Sequence, residues 1–210
     1  MSIRSSRPQV EKPKQKRGWR TREHLVRAAT QLFSEQGYDT TTTNQISRKA
    51  RVSVGIFYKY FRDKRDIFLE IYREYSTRVV ETLVAELAPE RWRTADIQTA
   101  IQSLVRTAYE SHKVDPGIRR AFAQVAMKDP AFREIRDEIR RRVRAPLERL
   151  LEEHRSEITV SNIPIAAFVI DEAVEACVHQ VIFSQAAFNG DELVQELARM
   201  VSHYLIHPRN

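Results

Sequence analysis

The sequence predicts an all-α protein. Three observations carry that prediction. Apolar residues recur at helical spacing along most of the chain, with no clear strand and no internal repeat. Only 5 glycines and 8 prolines stand among 210 residues, fewer turn residues than a loop-rich β-protein needs. Hydroxyl, Asp and Gly residues sit where the periodic segments start and stop, as helix caps do.

Residues 1–18 are basic, contain Pro8 and Pro13 and lack an apolar period, so a disordered arm is expected there. Such an arm either solubilises the chain or follows DNA phosphates and enters a minor groove. Leu25, Ala28, Ala29, Leu32 and Phe33 then form one helical stripe, and Gly37 offers a left-handed stop. A first helix over about Thr21–Gln36 follows. Thr42 to Gln45 has the form of a capping box, opening a short second helix, Thr43–Ala50, with Ile46 and Ala50 on one face. Ser53 stands where it caps a third helix, reaching about Phe61. Asp63 caps a fourth, in which Ile67, Phe68, Ile71 and Tyr72 repeat at helical spacing.

The segment from 92 to 206 reads as more helices. Ile97, Ile101, Leu104, Val105 and Ala108 form one stripe, and Pro116 and Pro130 each follow an Asp, as helix starts do. Residues 131–153 form a long charged helix in which Pro146 predicts a kink or a break. Pro164 opens an apolar stretch over 165–188. Asp191 is expected to cap a last helix carrying Leu193, Leu197, Met200, Val201, Tyr204 and Leu205.

The net charge of +7 is unevenly placed: residues 1–65 hold 16 Lys/Arg against 5 Asp/Glu, and residues 66–210 hold 19 against 23. A basic end suits a polyanion, either nucleic acid or an anionic membrane surface. Cys177 is the only cysteine, so neither an intrachain disulfide nor a cysteine-rich metal site forms. No run of 18 apolar residues crosses a membrane, and the polar N-terminus lacks a signal-peptide core. The expected location is cytoplasmic.

The second helix, a turn at Arg51-Val52-Ser53 and the third helix make a helix-turn-helix, whose second helix lies in the major groove of DNA. Val54 and Gly55 are small, so the backbone can approach base edges. Phe57 and Phe61 lie four apart and anchor the helix to the core. Tyr58, Lys59 and Tyr60 are then expected to project outward, since one helix cannot bury three consecutive positions. Lys64 follows the Asp63 cap, and a helix N-terminus beside a lysine makes a phosphate site.

The stretch Leu25 to Phe68, with its Gly-Tyr turn, threonine run, Val-Ser-x-Gly-x-x-Tyr-x-Tyr-Phe and following Lys in register, resembles the DNA-binding domain of the tetracycline-repressor (TetR) family. The likeness covers about 45 residues, a fifth of the chain. It implies a helix-turn-helix domain over 19–64 and a helical effector-binding and dimerisation domain over 65–210. Carried over by position, it makes Thr43, Tyr58 and Lys64 phosphate ligands. Asn44, Val54, Gly55, Lys59 and Tyr60 become base or sugar contacts, and Ser53 a cap that also touches phosphate. Arg51 departs from the family, which commonly has glycine there. A left-handed arginine costs about 1 kcal/mol, which a phosphate contact would offset.

Other features have plainer readings. The run Arg140, Arg141, Arg142 and Arg144 reads as a solvated face pairing with Glu134, Asp137 and Glu138. His179 with Glu175 on one face is weak evidence for a metal or ligand. Cys177 reads as a small core residue. Trp92, Tyr109, Phe122, Phe168 and Phe183 either line a cavity or pack a core. No P-loop, H-E-x-x-H or G-x-S-x-G occurs, so an enzyme is not expected, and no cofactor or metal is.

The expected function is therefore sequence-specific regulation of transcription: a homodimeric repressor on a palindromic operator in double-stranded DNA, released by a small effector of unknown identity. An interior with few charges favours an apolar effector. An effector-dependent activator is the alternative. A membrane-surface or interaction protein fits less well, because the alanine-rich stripe of the first helix suits close helix packing and not lipid.

Overall fold

The structure is a computed structural model that describes residues 16–88, 92, 96–113, 115–183 and 188–206. Among these residues are nine helices and no strand. They are α1 (Lys16–Gln36), α2 (Thr43–Lys49), α3 (Val54–Tyr60), α4 (Lys64–Glu86), α5 (Ile97–Lys113), α6 (Pro116–Ala126), α7 (Pro130–Glu153), α8 (Ile163–Phe183) and α9 (Gly190–Ile206). They form two compact units. The first takes in the described residues up to Tyr75 together with Gly117–Phe132. The second takes in those from Ser76 to Pro116 and from Arg133 onward. A division of the chain after Lys64 falls at the start of α4; by contact the first unit reaches farther, to Tyr75.

In the first unit α1 starts at Lys16, so residues 16–18 of the expected arm are helical, while 1–15 lie outside the described residues. Leu25, Ala28, Ala29 and Phe33 are its buried stripe. Gly37 ends it with φ +81° and an N–H donated to the Phe33 carbonyl at 3.0 Å. The capping box forms: Thr42 Oγ1 accepts from the Gln45 N–H, and Gln45 Oε1 accepts from the Thr42 N–H at 2.8 Å. Ser53 Oγ accepts from the Ile56 N–H at 3.4 Å, and Asp63 Oδ1 from the Asp66 N–H at 2.8 Å. Four local rules therefore bound the first four helices.

The core of this unit is aromatic. Phe33, Phe57, Phe61 and Phe68 are fully buried. Residues from far along the chain complete it: the Phe68 ring lies 5.0 Å from Phe122 of α6 and 5.4 Å from Phe132 of α7, and Tyr72 lies 4.6 Å from Phe122. Arg65 Nη2 donates to Asp129 Oδ1 at 2.8 Å. Gly117 opens α6 against α1, where a Cβ would overlap the Ser34 backbone carbonyl.

The second unit packs α5 against α8 and α9, with Leu147, Leu150 and Leu151 of α7 in the same core. Pro116 and Pro130 begin their helices as expected. Pro146 does not break α7, which runs on to Glu153. The buried leucines just beyond it outweigh one lost backbone hydrogen bond. Asn189, and not Asp191, caps α9, accepting from the Asp191 N–H at 2.9 Å. Asp191 instead pairs with Arg106 at 2.9 Å.

The arginine run divides. Arg141 pairs with Glu138 at 2.7 Å as expected. Arg140 and Arg144 reach across to α8, meeting Asp171 at 2.8 and 2.7 Å, and Arg144 also meets Glu172. Glu175 faces the buried His112 of α5. Of the five aromatics, Trp92 is buried, Tyr109 packs against the second core, Phe122 belongs to the first, Phe168 is exposed, and the Phe183 side chain lies outside the description. Cys177 is half-buried against the second core.

Candidate nucleic-acid interface

The turn between α2 and α3 is built by backbone bonds. The Ala50 N–H reaches the Ile46 carbonyl at 2.9 Å, and the Val52 N–H the Ser47 carbonyl at 3.0 Å. Between them Arg51 is left-handed, with φ +57°. A Cβ is disfavoured in that region by about 1 kcal/mol. Arg51→Gly is therefore expected to stabilise the unit by about 0.5–1 kcal/mol, read as a raised midpoint in urea unfolding. A lower midpoint would mean that the guanidinium makes a compensating contact.

Phe57 and Phe61 hold α3 to the core, with Phe57 fully buried. That anchoring leaves Val54, Gly55, Tyr58 and Lys59 exposed in sequence along one short helix. Tyr58 is 40% exposed, and its hydroxyl lies 3.3 Å from Thr43 Oγ1 at the start of α2. Two of the predicted phosphate ligands thus meet across the motif. Asn44 is exposed beside them on the first turn of α2. Ser53 is exposed, with its hydroxyl engaged as the α3 cap.

Two expected residues sit differently. Tyr60 is only 7% exposed, so its ring packs inward instead of projecting. It lies three residues after Phe57, on the same helical face. Lys64 turns its ammonium toward the α1–α2 connection: Nζ donates to the Tyr38 carbonyl at 2.7 Å and sits 4.3 Å from the centre of the Tyr38 ring. Burial holds that ammonium below its ordinary pKa range. Its side chain ties the turn to α4, while the amide end of α4 remains a separate feature. Arg48, on the exposed last turn of α2, was not singled out by sequence pattern, although it adds to the same basic surface.

Arg62 and Asp66 brace the entry to α4. Arg62 donates its backbone N–H to Asp66 Oδ2 at 3.0 Å and Nη2 to Oδ1 at 3.0 Å. Burial alone would raise the Asp66 carboxyl, but these bonds outweigh it and set it below the usual carboxylate range. A depressed acid stabilises the fold fully above its unfolded pKa, about 3.9, and loses that contribution as pH falls through the lower folded value. Asp66→Asn is expected to flatten the stability profile below about pH 4. Urea midpoints measured from pH 6 down to about pH 2.5 check this; parallel profiles for both proteins would count against it.

Among the described residues no group of three or more His, Cys, Asp or Glu could hold a metal ion, and no helix is long and apolar enough to cross a membrane.

Comparison with known proteins follows the same two parts of the chain. Residues 25–71 match the family of bacterial regulatory proteins, tetR family, and residues 96–205 match the tetracyclin repressor-like C-terminal domain. The transcriptional regulator HbdR of Aromatoleum sp. (strain CIB) is 39% identical over 118 residues, 51% of this chain and 50% of HbdR. This chain therefore spans about half the length of that relative. A TetR-family regulator from Mesorhizobium loti shares the fold with a TM-score of 0.75 at 20% identity, covering 90% of this chain and 97% of that one. A regulator from Saccharomonospora viridis, solved in complex with choline, gives a TM-score of 0.75 at 17% identity, covering 90% and 100%. Such regulators are not enzymes. On this evidence of family models, relatives and fold, the chain belongs to the TetR family of bacterial regulatory proteins.

Proposed function

We propose that the protein is a cytoplasmic homodimeric repressor that reads a palindromic operator and leaves it when a small molecule binds the C-terminal domain. The observation that carries this reading is the exposed row Val54, Gly55, Tyr58 and Lys59 on α3, beside Thr43 and Asn44 of α2. In that arrangement Thr43 and Tyr58 hold phosphate. Val54, Gly55, Lys59 and Asn44 meet base edges or sugar, and Ser53 caps α3 beside the backbone. Tyr60, being buried, contributes only what its hydroxyl can reach. Lys64 contributes to phosphate binding through the start of α4 and not through its committed side chain.

Dimerisation is supported by apolar residues left exposed on α8 and α9, among them Ile165, Phe168, Val169 and Met200. An apolar cavity in the C-terminal unit supports an effector. Repression is the simplest action for such a dimer, because occupying the duplex excludes another protein without any further contact surface. The division of labour follows: residues 19–64 read DNA, and 65–210 sense and dimerise.

Selection from a random duplex library at near-physiological salt tests this reading. An inverted repeat is expected, with base preference relaxed in Lys59→Ala. Weak binding without consensus that vanishes steeply with salt would reduce the basic end to a general polyanion contact. A reporter behind the selected operator is expected to rise when the protein is removed; a fall would make it an activator.

A further inference from the structure

A groove of about 760 Å³ runs between α5 and α9, wholly within the second unit. The two helices are antiparallel. Arg106, in the second half of α5, reaches Asp191 at the start of α9. At the other end both helices bond to the α7–α8 connection: the Ile97 N–H meets Glu157 at 3.4 Å, and the Leu205 carbonyl accepts from the Thr159 N–H at 2.7 Å. Val194, Ala198 and Ser202, four apart on α9 and all buried, form the floor on that side. Gln98, Gln102 and Arg106 of α5 face Gln195 and Arg199 of α9 along exposed rims. The α5 rim covers eight residue steps, about 12 Å of helix. The groove shares no residue with the apolar cavity.

Its chemistry is one-sided. No Asp or Glu lines it, whereas two guanidiniums do. Each guanidinium meets a carboxylate from outside the lining, Nη1 of Arg106 with Asp191 at 2.9 Å and Nη2 of Arg199 with Glu196 at 2.8 Å. Both members of each pair are more than half exposed, so these pairs hold their arginines weakly. A guanidinium carries five N–H donors, and one carboxylate contact leaves others to offer. The amides of Gln98, Gln102 and Gln195 have no hydrogen-bond partner among the described residues. Of three hydroxyls lining the groove, Thr99 Oγ1 donates to Asp96 at 2.9 Å and Ser103 Oγ donates to Glu86. The third is Ser202 Oγ, in a residue only 7% exposed, and it has no hydrogen-bond partner among the described residues. A buried hydroxyl left so is unfavourable until a polar atom meets it.

We infer that this groove is a second small-molecule site, and that it takes a hydroxylated organic anion of the sugar-phosphate type. The volume lies within the range of about 300–1,000 Å³ common to such sites, well beyond a single ion. Guanidiniums match the oxygens of a phosphate, and amides both donate to and accept from hydroxyls. Ser202 supplies the hydrogen bond at the floor. The inference stands apart from the effector reading, because the apolar cavity takes no part in it.

Calorimetry on the full-length protein at pH 7 tests it with glucose 6-phosphate, glucose and inorganic phosphate. Glucose 6-phosphate is expected to bind at least about tenfold more tightly than either of the others. Arg199→Gln and Arg106→Gln, both at exposed positions, are each expected to weaken that binding by about tenfold while leaving the urea midpoint unchanged. Ser202→Ala is expected to weaken binding and raise the midpoint, since it removes an unpaired buried hydroxyl. No binding of glucose 6-phosphate overturns the inference. Inorganic phosphate binding as tightly reduces the site to a general anion contact and overturns the class. Binding that neither arginine substitution weakens lies elsewhere on the basic chain and overturns the site.

Discussion

Phe68→Ala is expected to destabilise the DNA-binding unit by about 3–5 kcal/mol. Phe68 is fully buried at the point where four other rings converge: Phe33 at 4.6 Å, Tyr38 at 4.7 Å, Phe122 at 5.0 Å and Phe132 at 5.4 Å. Truncation removes the transfer energy of the ring and leaves a void, because partners from α1, α6 and α7 cannot all close in at once. Each aromatic pair adds about 0.5–1.5 kcal/mol beyond area burial. Against a total stability of about 5–15 kcal/mol, such a loss is a large share. Urea unfolding followed by tryptophan fluorescence in a Trp92→Phe background checks it, with Trp19 of α1 as the reporter. A loss below about 1 kcal/mol would mean that the surrounding rings collapse into the gap.

Lys59→Ala is expected to lower operator affinity by about 2–6 kcal/mol in the proposed dimer. A well-placed pair of hydrogen bonds to a base edge carries about 1–3 kcal/mol, and a palindrome makes every substitution count twice. Lys59 is exposed on α3, one residue past Tyr58 and away from the Phe57 anchor, so the loss should fall on binding and leave folding unchanged. Fluorescence anisotropy with the selected duplex and with a scrambled one separates the roles. Loss on the selected duplex alone marks a base contact. Equal loss on both, with a shallower salt dependence, marks a phosphate contact instead.

The N-terminal elements were legible because their signals are local. Gly37, the Thr42–Gln45 pair, Ser53 and Asp63 each act within four residues, and each cap forms. The strained Arg51 was legible for the same reason. What could not be read depends on partners remote in sequence. Nothing near Lys64 announces that its ammonium will reach Tyr38 and Asp39, 26 and 25 residues back. Tyr60 looks outward by composition, yet it shares a face with Phe57. Pro146 reads as a helix breaker until Leu147, Leu150 and Leu151 are seen to be buried. Arg140 and Arg144 have acids close by in sequence, but the geometry of two packed helices gives them Asp171 and Glu172.

The closing of the first core by α6 and the start of α7 bears on how the chain matures. A nascent chain of 75 residues already carries α1 to α3 and the first half of α4, but it lacks Phe122 and Phe132, which pack on Phe68 and Tyr72. Synthesis must pass through about forty residues of the other unit before those side chains emerge, which at about 5–20 residues per second takes a few seconds. During that interval an apolar aromatic surface stands open, suited to chaperone capture and to mispairing between neighbouring nascent chains. The first unit is therefore finished late, after its first helices have waited for the stretch from Ser76 to Pro116, which carries the rest of α4 and α5.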